Sequence, residues 1–264
     1  MEEIEILKKV ALGAGEILKE GFYSKKEVRH KGVVDLITQF DKKSEEFILE
    51  ELSRYFKDFT LVGEESFSGK RPSGKVIYID PIDGTTNFVH QLPFFAISIG
   101  AFVDEVPLFG VVYNPILDEM FWAVKDKGAF RNETKILVSK EENLQKSLIA
   151  TGFPYAKFKA QKEYLWSVES IATILPKLQD LRRFGAASLD LCYVASGKFE
   201  GFFEIGLNPW DVAAGILIVK EAGGKVSKTN SKEYSLDDFD IVASNGKIHS
   251  ALIENIKSWD DFRG

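Results

Sequence analysis

The chain has 264 residues, of which 45% are hydrophobic and 12% aromatic, and this composition excludes a disordered protein. Its net charge of -6 leaves no basic excess to neutralise phosphates, which argues against nucleic acid as the main partner. The single cysteine, Cys192, cannot form an internal disulfide, and there is neither a charged-then-apolar leader nor an apolar run of membrane-spanning length. We therefore expect a cytoplasmic protein that does not enter the membrane.

Two amphipathic helices are predicted at the start of the chain. The first has a plausible stop at Gly21 and an apolar stripe at helical spacing, formed by Ile4, Leu7, Ala11, Ala14, Ile17 and Leu18. The second begins at about Asp41. Its expected inner face consists of Phe47, Ile48, Leu52, Tyr55 and Phe56.

Between about Val76 and Val138 the chain is rich in β-branched and aromatic residues. These fall into the runs VIYID, FFAISIGAFV, VPLFGVVYN, MFWAV and KILV, which are separated by short polar turns. Because short connections join antiparallel neighbours, the runs predict a β-meander.

After about Asn143 the predicted strands alternate with helices. The strands are SLIATG, DLRRFG, FEGFFEI, GGKVS and DIVAS, and the helices are Trp166 to Leu175, SLDLCYVAS and DVAAGILIVKEA. This predicts an α+β or α/β protein. With no repeat and no linker, we expect one unit over residues 1–264, made of a helical and antiparallel half (1–140) and an α/β half (141–264).

The stretch from Ile77 to His90, IYIDPIDGTTNFVH, places two carboxylates where a strand must end. Asp80 closes an apolar run, and Pro81 has no N–H for the sheet, so the chain leaves it there and Asp83 turns back toward Asp80. Two carboxylates this close repel each other unless a cation lies between them, and Mg²⁺ prefers such oxygen ligands. The next residues, Gly84 and Thr85, offer N–H and hydroxyl groups to an anion. The alternative is an ordinary solvated Asp-Pro and Asp-Gly turn.

Two further acidic positions are predicted to converge on this site. Glu64 and Glu65 follow a short apolar strand and a glycine in LVGEES, although a polar loop would also explain them. Asp211 starts an apolar helix, where it could simply cap that helix. Each acid alone could be explained by a turn, a loop or a helix cap. For three acids at strand ends or helix starts, all of these simple explanations would have to hold at once, which weakens them together.

With these motifs the chain resembles the inositol monophosphatase family over nearly its whole length. The family's GEE motif stands at Gly63 to Glu65, DPIDGTTNF at Asp80 to Phe88, and the WD-A-G motif at Trp210 to Gly215. The resemblance implies a layered αβαβα sandwich, a homodimer and sensitivity to Li⁺. It also implies a Mg²⁺-dependent phosphomonoesterase with two to three ions in each active site.

The resemblance also assigns metal ligands and catalytic residues. Glu64, Asp80 and the Ile82 carbonyl would hold the first ion, and Thr85 with that ion would activate the attacking water. Asp80, Asp83 and Asp211 would hold the second ion, and a third would share Glu64 through waters. Paired ions provide both a nucleophile at neutral pH and charge neutralisation, so no covalent nucleophile is needed.

Substrate contacts follow from the same resemblance. The N–H groups of Gly84 and Thr85 would bind phosphate oxygens, and Glu204 would accept hydrogen bonds from substrate hydroxyls. The family's G-[ST]-A-A stretch reads Gly-Ala-Ala-Ser here, from Gly185 to Ser188, so only a backbone contact through Ala187 is expected.

The early loop and an arginine pair allow two interpretations each. Asp35, Thr38 and Asp41 would support the third ion or the catalytic water, or would simply form a solvated helix entry, and Lys31 is shifted by one residue relative to some family members. Arg182 and Arg183 are ordinary strand or interface charges, or they bind a second phosphate on a larger substrate.

The candidates outside these motifs do not indicate a second functional site. Gly69 to Val76 lacks the Ser or Thr of a P-loop, and the three histidines lack zinc-ligand spacing. Cys192 is predicted to be a core residue, and Trp210 is predicted to pack beside Asp211 and not to contact a ligand.

The sequence therefore predicts a phosphatase acting on a small phosphate ester, with inositol 1-phosphate as the leading substrate. The alternative on the same scaffold is a fructose-1,6-bisphosphatase or an enzyme with both activities. A rival of another class is a binding module for a macromolecular partner.

Overall fold

The computed structural model describes residues 2–30, 36–154 and 161–264. Its α-helices in these ranges are α1 Glu2–Tyr23, α2 Gln39–Tyr55, α3 Thr85–Val89, α4 Gln161–Ile174, α5 Ala187–Ala195, α6 Pro209–Glu221, α7 His249–Asn255 and α8 Trp259–Arg263. Its strands are β1 Val28–His30, β2 Leu36–Thr38, β3 Thr60–Gly63, β4 Lys75–Asp83, β5 Ala96–Val103, β6 Val106–Asn114, β7 Glu119–Val124, β8 Gly128–Arg131, β9 Thr134–Ile136, β10 Leu148–Thr151, β11 Asp180–Arg182, β12 Gly201–Ile205, β13 Lys225–Ser227 and β14 Asp240–Ser244. No helix in these ranges has an apolar stretch long enough to cross a membrane.

The larger sheet is the predicted meander. Its seven strands lie in the order β3-β4-β5-β6-β7-β8-β9, in which β3 and β4 run parallel and every other neighbouring pair is antiparallel. The sequence prediction missed β8, because only a few residues separate its turn from the KILV run. A second sheet of five strands follows the order β11-β10-β12-β14-β13. It mixes parallel and antiparallel pairs, as expected where helices alternate with strands.

Five layers result, and the predicted αβαβα sandwich is confirmed. Helices α1 and α2 cover one face of the larger sheet, and α5 and α6 lie between the two sheets. Helices α4, α7 and α8 cover the outer face of the smaller sheet, where Trp166 and Trp259 are buried beside Phe203. The seven- and five-stranded sheets are covered on both faces, so their central strands are apolar on both sides. Strands β1 and β2 form a separate two-stranded sheet.

The alternation along β4 decides which way its terminal carboxylate points. Ile77 and Ile79 pack toward α1 and α2, whereas Val76 and Tyr78 belong to the core shared with α5 and α6. Since successive side chains of a strand point to opposite faces, Asp80 follows Tyr78 toward the central helix layer.

Two glycines let α6 approach the larger sheet closely. Gly100 on β5 pairs with Gly110 on β6, and both face α6. A Cβ atom on Gly100 would lie 2.6 Å from the backbone nitrogen of Ala214, a distance that folded proteins do not tolerate. The backbone of α6 therefore rests directly on these two strands.

The predicted boundaries of the first two helices were partly wrong. Helix α1 continues past Gly21 to Tyr23, because Gly21 packs against the ring of Phe40, where a Cβ atom would lie 2.6 Å from Cδ1. Helix α2 begins two residues before Asp41, with Thr38 as its N-cap. Tyr55, predicted on the inner face, is 54% exposed at the last helical position.

His249 is a buried histidine with two serine partners. Its Nε2 lies 2.9 Å from Ser227 Oγ, and its Nδ1 lies 2.8 Å from Ser244 Oγ. Burial first, and the charge of Lys225 second, lower the pKa of His249 to about 4. The ring is therefore neutral in the folded protein at neutral pH, in agreement with a core role.

We expect His249 to make the protein less stable in mild acid. An unfolded histidine takes up a proton near pH 6.5, so between about pH 6.5 and pH 4 the unfolded chain binds more protons than the folded one. The stabilising contribution is complete above this window and is lost as the pH falls through it, by about 2 kcal/mol between pH 8 and pH 5. Urea unfolding at both pH values measures this loss. The His249→Gln variant should be less stable at pH 8 but lose less on acidification, and equal losses in the two proteins would contradict the assignment.

Candidate active site

The parallel pairing of β3 and β4 brings the first two acidic side chains together. Gly63 at the end of β3 is paired with Ile79, and the backbone N–H of Glu64 donates to the Ile79 carbonyl at 3.0 Å. Glu64 thus leaves the sheet beside Asp80, where its charge and a side-chain hydrogen bond both raise the pKa of Asp80.

A break in β4 turns Asp83 toward the same place. The pairing with β5 shifts between Asp80, opposite Ser98, and Asp83, opposite Ala96. The backbone N–H of Ile82 donates to Asp80 Oδ1 at 2.9 Å, which fixes the carboxylate across the break. Both aspartates are buried, with 1% and 6% of their surfaces exposed.

Helix α3 begins immediately after this break and presents Thr85. Gly84 precedes it in the left-handed conformation, with φ of 91°, which strains any residue with a Cβ atom. The hydroxyl of Thr85 lies 3.0 Å from the Ile82 carbonyl oxygen and 3.2 Å from Asp41 Oδ1. Both Thr38 donors, N–H and hydroxyl, bind Asp41 Oδ2 at 2.7 and 2.6 Å. A threonine and an aspartate from two different helices therefore face each other beside the acidic cluster.

Asp211 enters from the first turn of α6. Its Oδ2 accepts the Asn208 N–H at 2.7 Å, so Asp211 caps the helix as one sequence interpretation held. The hydroxyl of Ser98 donates to the Trp210 carbonyl at 3.1 Å and ties this turn to β5. The Asp211 side chain also interacts electrostatically with Asp80 and Asp83. It therefore both caps α6 and belongs to the acidic cluster.

Burial and mutual repulsion raise the pKa of these carboxyl groups. Burial is the largest cause for Asp80, whose pKa is raised well above its ordinary value, and the charges of Glu64, Asp83 and Asp211 add to it. The pKa of Asp211 is also raised, first by burial and then by the charges of Asp83 and Glu64. Burial raises the pKa of Asp83 to about 6 against the opposing hydrogen bonds from Ser188. The cluster holds more negative charge than it can stabilise alone.

The donor set fits a hard divalent cation. It consists of carboxylates and the Ile82 carbonyl, all oxygen donors, and a cation between them would remove the repulsion that raises their pKa values. Within the described ranges, no group of three or more His, Cys, Asp or Glu side chains has a geometry that could already hold a metal ion. The carboxylates of the cluster act on one another electrostatically without forming such a group.

A small cavity of about 30 Å³ opens next to the acidic cluster, and its lining includes most of the predicted substrate contacts. Its lining consists of Asp83, Phe153, Arg183, Gly185, Ala187, Glu204, Leu207 and Asp211. Glu204 is buried against Gly152, where a Cβ atom would lie 2.0 Å from Glu204 Oε1. Burial raises the pKa of Glu204 to about 8, while Arg183 opposes this shift.

The two arginines have different surroundings. The guanidinium carbon of Arg183 lies 5.8 Å from the ring centre of Phe153 at the cavity. Arg182 instead donates to Asp180 Oδ2 at 2.6 Å and to the Leu181 carbonyl at 3.0 Å, and it is not part of the cavity lining. Asp35 and Lys31, two residues of the predicted supporting loop, lie outside the described residues.

Two larger cavities, of about 560 and 550 Å³, lie away from the acidic cluster. One is lined by residues 229–232 and by five residues between 253 and 261, and the other lies between the start of α1, the end of α2 and the β5-β6 hairpin. Neither lining includes a candidate site residue, so volume alone does not locate the site in this protein.

The sequence prediction missed two residues that hold the cluster in place. Glu45 on α2 is 3% exposed, and its Oε2 accepts the Glu65 N–H at 2.8 Å, which fixes the turn that carries Glu64. Ser188 at the start of α5 donates from both N–H and hydroxyl to Asp83 Oδ2. The position of Ser188 in a first helical turn is a signal that could have marked it as a donor to a carboxylate. Cys192 and Trp210 pack as predicted, Cys192 fully buried and Trp210 edge-on to Phe67.

Comparison with known proteins gives consistent results over nearly the entire chain. The family model described as "Inositol monophosphatase family" matches residues 1–260. Inositol monophosphatase 2 of Solanum lycopersicum is 41% identical over 260 residues, which cover 96% of this chain and 97% of that protein. A fructose-1,6-bisphosphatase/inositol-1-monophosphatase of Aquifex aeolicus is 36% identical over 258 residues, covering 97% and 96%. The solved inositol monophosphatase structure from Anabaena (Nostoc) sp. superposes with a TM-score of 0.87 at 35% identity and covers 98% of both chains.

Proposed function

The chain belongs to the inositol monophosphatase family of phosphoric monoester hydrolases, and from this premise we propose that it releases phosphate from inositol 1-phosphate or a similar polyol phosphate. One observation carries the proposal. Three buried aspartates, Asp80, Asp83 and Asp211, meet with Glu64 beside the Thr85 hydroxyl and next to a cavity that contains Glu204.

Dependence on Mg²⁺ and sensitivity to Li⁺ are typical of the family. We assign Glu64, Asp80 and the Ile82 carbonyl to one ion and Asp80, Asp83 and Asp211 to a second, with a third sharing Glu64 through waters. The mutual repulsion within the cluster supports this assignment, since bound cations would offset it. When bound, Mg²⁺ supplies positive charge for the phosphate oxygens and a lower pKa for water, so that a nucleophile exists at neutral pH.

The protein's own groups orient the reaction. Thr38 holds Asp41, and Asp41 accepts from the Thr85 hydroxyl, which would fix that hydroxyl against the attacking water. The N–H groups of Gly84 and Thr85 would bind the non-bridging phosphate oxygens at the start of α3, where they stabilise charge that grows in the transition state. Water would then attack the phosphorus atom in line with the departing oxygen of the alcohol, and no covalent intermediate with the protein would form.

The rest of the substrate would lie at the mouth of the cavity, whose volume of about 30 Å³ is too small to enclose a ring. Glu204 and the Ala187 backbone are the polar groups we assign to substrate hydroxyls, because both line the cavity beside Asp83. A polyol suits this wall, since its hydroxyl groups can donate to a carboxyl oxygen. Phe153 and Leu207 provide the apolar surface for the carbon faces of a ring.

Phosphate release from inositol 1-phosphate, measured with Mg²⁺ and with a chelator, tests the proposal. We expect release that requires Mg²⁺ and that Li⁺ inhibits. Absence of release from folded protein would shift the assignment to another phosphate ester or to a binding module for a macromolecular partner.

Arg183 favours fructose 1,6-bisphosphate as a second candidate substrate, because a guanidinium in the cavity wall could bind a second phosphate. We expect Arg183→Ala to reduce kcat/KM for fructose 1,6-bisphosphate by about tenfold or more, since a charged hydrogen bond contributes about 1.5 to 3 kcal/mol. The rate on inositol 1-phosphate should fall much less.

Arg182→Ala provides the matched control for that experiment. Arg182 donates to Asp180 away from the cavity, so its removal should leave the ratio of the two rates close to that of the wild type. A drop in both rates by the same factor in Arg183→Ala would argue against recognition of a second phosphate.

Three further proposals concern the whole molecule. We infer that residues 1–264 act as one unit, because both halves of the chain contribute to the site. Glu64 and Asp83 come from the first half, and Glu204 and Asp211 come from the second. We also propose a homodimer and a cytoplasmic location, which the family resemblance and the single buried cysteine support. Sedimentation and cell fractionation would test them.

A further inference from the structure

Helix α5 meets the acidic cluster through one buried serine. The N–H of Ser188 donates to Asp83 Oδ2 at 2.7 Å, and the Ser188 hydroxyl donates to the same oxygen at 2.5 Å. The two residues are 105 positions apart in the chain. Ser188 is completely buried and Asp83 is 6% exposed, so water does not compete strongly for these bonds.

The hydroxyl of Ser188 does more than cap a helix. The N-cap of α5 is Ala186, which provides no side-chain acceptor, and Asp83 replaces it from the opposite half of the chain. Backbone N–H groups alone would satisfy that capping role. A serine inside a helix often donates instead to the carbonyl four residues earlier, but that residue, Phe184, lies before the start of α5, and its carbonyl binds Asn87 Nδ2 at 2.7 Å. The hydroxyl is therefore directed to Asp83.

The consequence concerns the two oxygens of Asp83. Both bonds from Ser188 end on Oδ2, so both lone pairs of this oxygen already accept hydrogen bonds. The carboxylate cannot rotate without breaking two buried bonds. The Ala187 backbone also binds this carboxylate. The other oxygen, Oδ1, takes neither of the two Ser188 bonds, and it is the one we assign to a cation.

We propose that Ser188 is a positioning residue for cation binding, which holds Asp83 so that it offers a single oxygen, Oδ1, to the metal. The proposal rests on the proposed function, since it requires a cation at the acidic cluster. A hydrogen-bonded ligand is already oriented before the ion arrives, and loss of such an outer partner weakens metal affinity by about 10- to 100-fold in other sites. Ser188 touches neither substrate nor the reacting atoms and acts only through Asp83.

Binding of Mn²⁺ alone, followed by the electron paramagnetic resonance signal of the free ion, tests the proposal. We expect the dissociation constant of Ser188→Ala to rise by about tenfold or more over that of the wild type. Ser188→Cys, with similar volume and a weaker donor, should fall between the two. Raising Mg²⁺ should restore most of the phosphate-release rate of Ser188→Ala, because its defect lies in affinity, whereas a general packing defect would lower kcat at every Mg²⁺ concentration.

Ser167→Ala is the matched control. Ser167 is also buried in a helix, but its hydroxyl donates to the Glu163 carbonyl far from the acidic cluster. It should lose a comparable amount of thermal stability and bind Mn²⁺ like the wild type. If Ser188→Ala does not fold, the intermediate Mn²⁺ affinity of Ser188→Cys decides.

The outcomes distinguish a failure of this proposal from a failure of the proposed function on which it rests. Wild-type protein that binds no Mn²⁺ would overturn the metal-dependent function together with the role of Ser188. Wild-type binding with Ser188→Ala and Ser188→Cys within twofold of it would overturn only the role of Ser188.

Discussion

Replacing Asp80 by asparagine is expected to abolish most of the catalysis and, at the same time, to stabilise the metal-free protein. Asparagine keeps the size of the side chain and the oxygen that accepts the Ile82 N–H. It removes a negative ligand assigned to both ions, and several kcal/mol of lost transition-state stabilisation corresponds to a rate reduction of about a thousandfold. Repulsion from Glu64, Asp83 and Asp211 falls as well, so unfolding without metal should require about 1 to 3 kcal/mol more.

Phosphate release and thermal unfolding in chelator measure the two effects on the same samples. Asp58→Asn is the control, because the Asp58 side chain is 81% exposed at the opposite end of the sheet from the cluster, and neither quantity should change much. Asp83→Asn should lose activity in the same way. An unchanged rate in Asp80→Asn or Asp83→Asn would remove that residue from the ligand set, and a lower stability without metal would show that repulsion is not the dominant interaction.

Gly100→Ala is expected to destabilise the protein strongly although it lies in a sheet and not at the site. The added Cβ atom would lie 2.6 Å from the nitrogen of Ala214 and 2.7 Å from the carbonyl carbon of Ala213, both backbone atoms of α6. A backbone cannot rotate away as a side chain does, so the whole helix must shift, at a cost of about 3 kcal/mol or more. Because Asp211 stands in the first turn of α6, the shift should also lower the phosphate-release rate by about a hundredfold.

A second glycine separates crowding from backbone strain. Gly246 has φ of 78°, but the nearest atom to an added Cβ, apart from its chain neighbours, is 3.9 Å away. Gly246→Ala should therefore cost only about 1 kcal/mol, from the left-handed conformation alone, and leave activity unchanged. Urea unfolding of both variants makes the comparison. If Gly100→Ala were no more destabilising than Gly246→Ala, α6 would not rest on the sheet in the way described.

The elements that the sequence predicted well are those whose signals are local. The meander follows from β-rich runs separated by short turns, and each run pairs with its neighbour in the chain. The two carboxylates around Pro81 are likewise three residues apart, so their convergence needed no long-range information. Element boundaries were less accurate, because tertiary contacts such as the one between Gly21 and Phe40 extend a helix beyond its local stop signal.

The residues that support the site could not be found in this way. Glu45 stands on an amphipathic helix, where a glutamate predicts a solvent-facing position, but it is buried because Gly63 leaves room for its carboxylate. A Cβ atom on Gly63 would lie 2.4 Å from Glu45 Cδ. That pairing between a missing side chain and a distant carboxylate has no periodic pattern. Ser188 is similar, since its partner Asp83 belongs to the other half of the chain.

The terminal helices show a third kind of failure. Helices α7 and α8 are 7 and 5 residues long, too short for a helical period to repeat clearly. They form because Leu252 and Trp259 complete the outer core of the smaller sheet. Packing, and not local preference, therefore decides their structure.

Helix α5 presents almost no surface to solvent, since all nine of its residues are buried between the two sheets and only Ala187 at its start reaches the cavity wall. Its amide hydrogens can reach solvent only if the sheets separate, so their exchange with heavy water should proceed through unfolding of the whole molecule. The donors that hold Asp83 are therefore protected by the full stability of the protein and not by a local structure that opens independently. Any motion that admits substrate or releases product must come from segments outside this central layer.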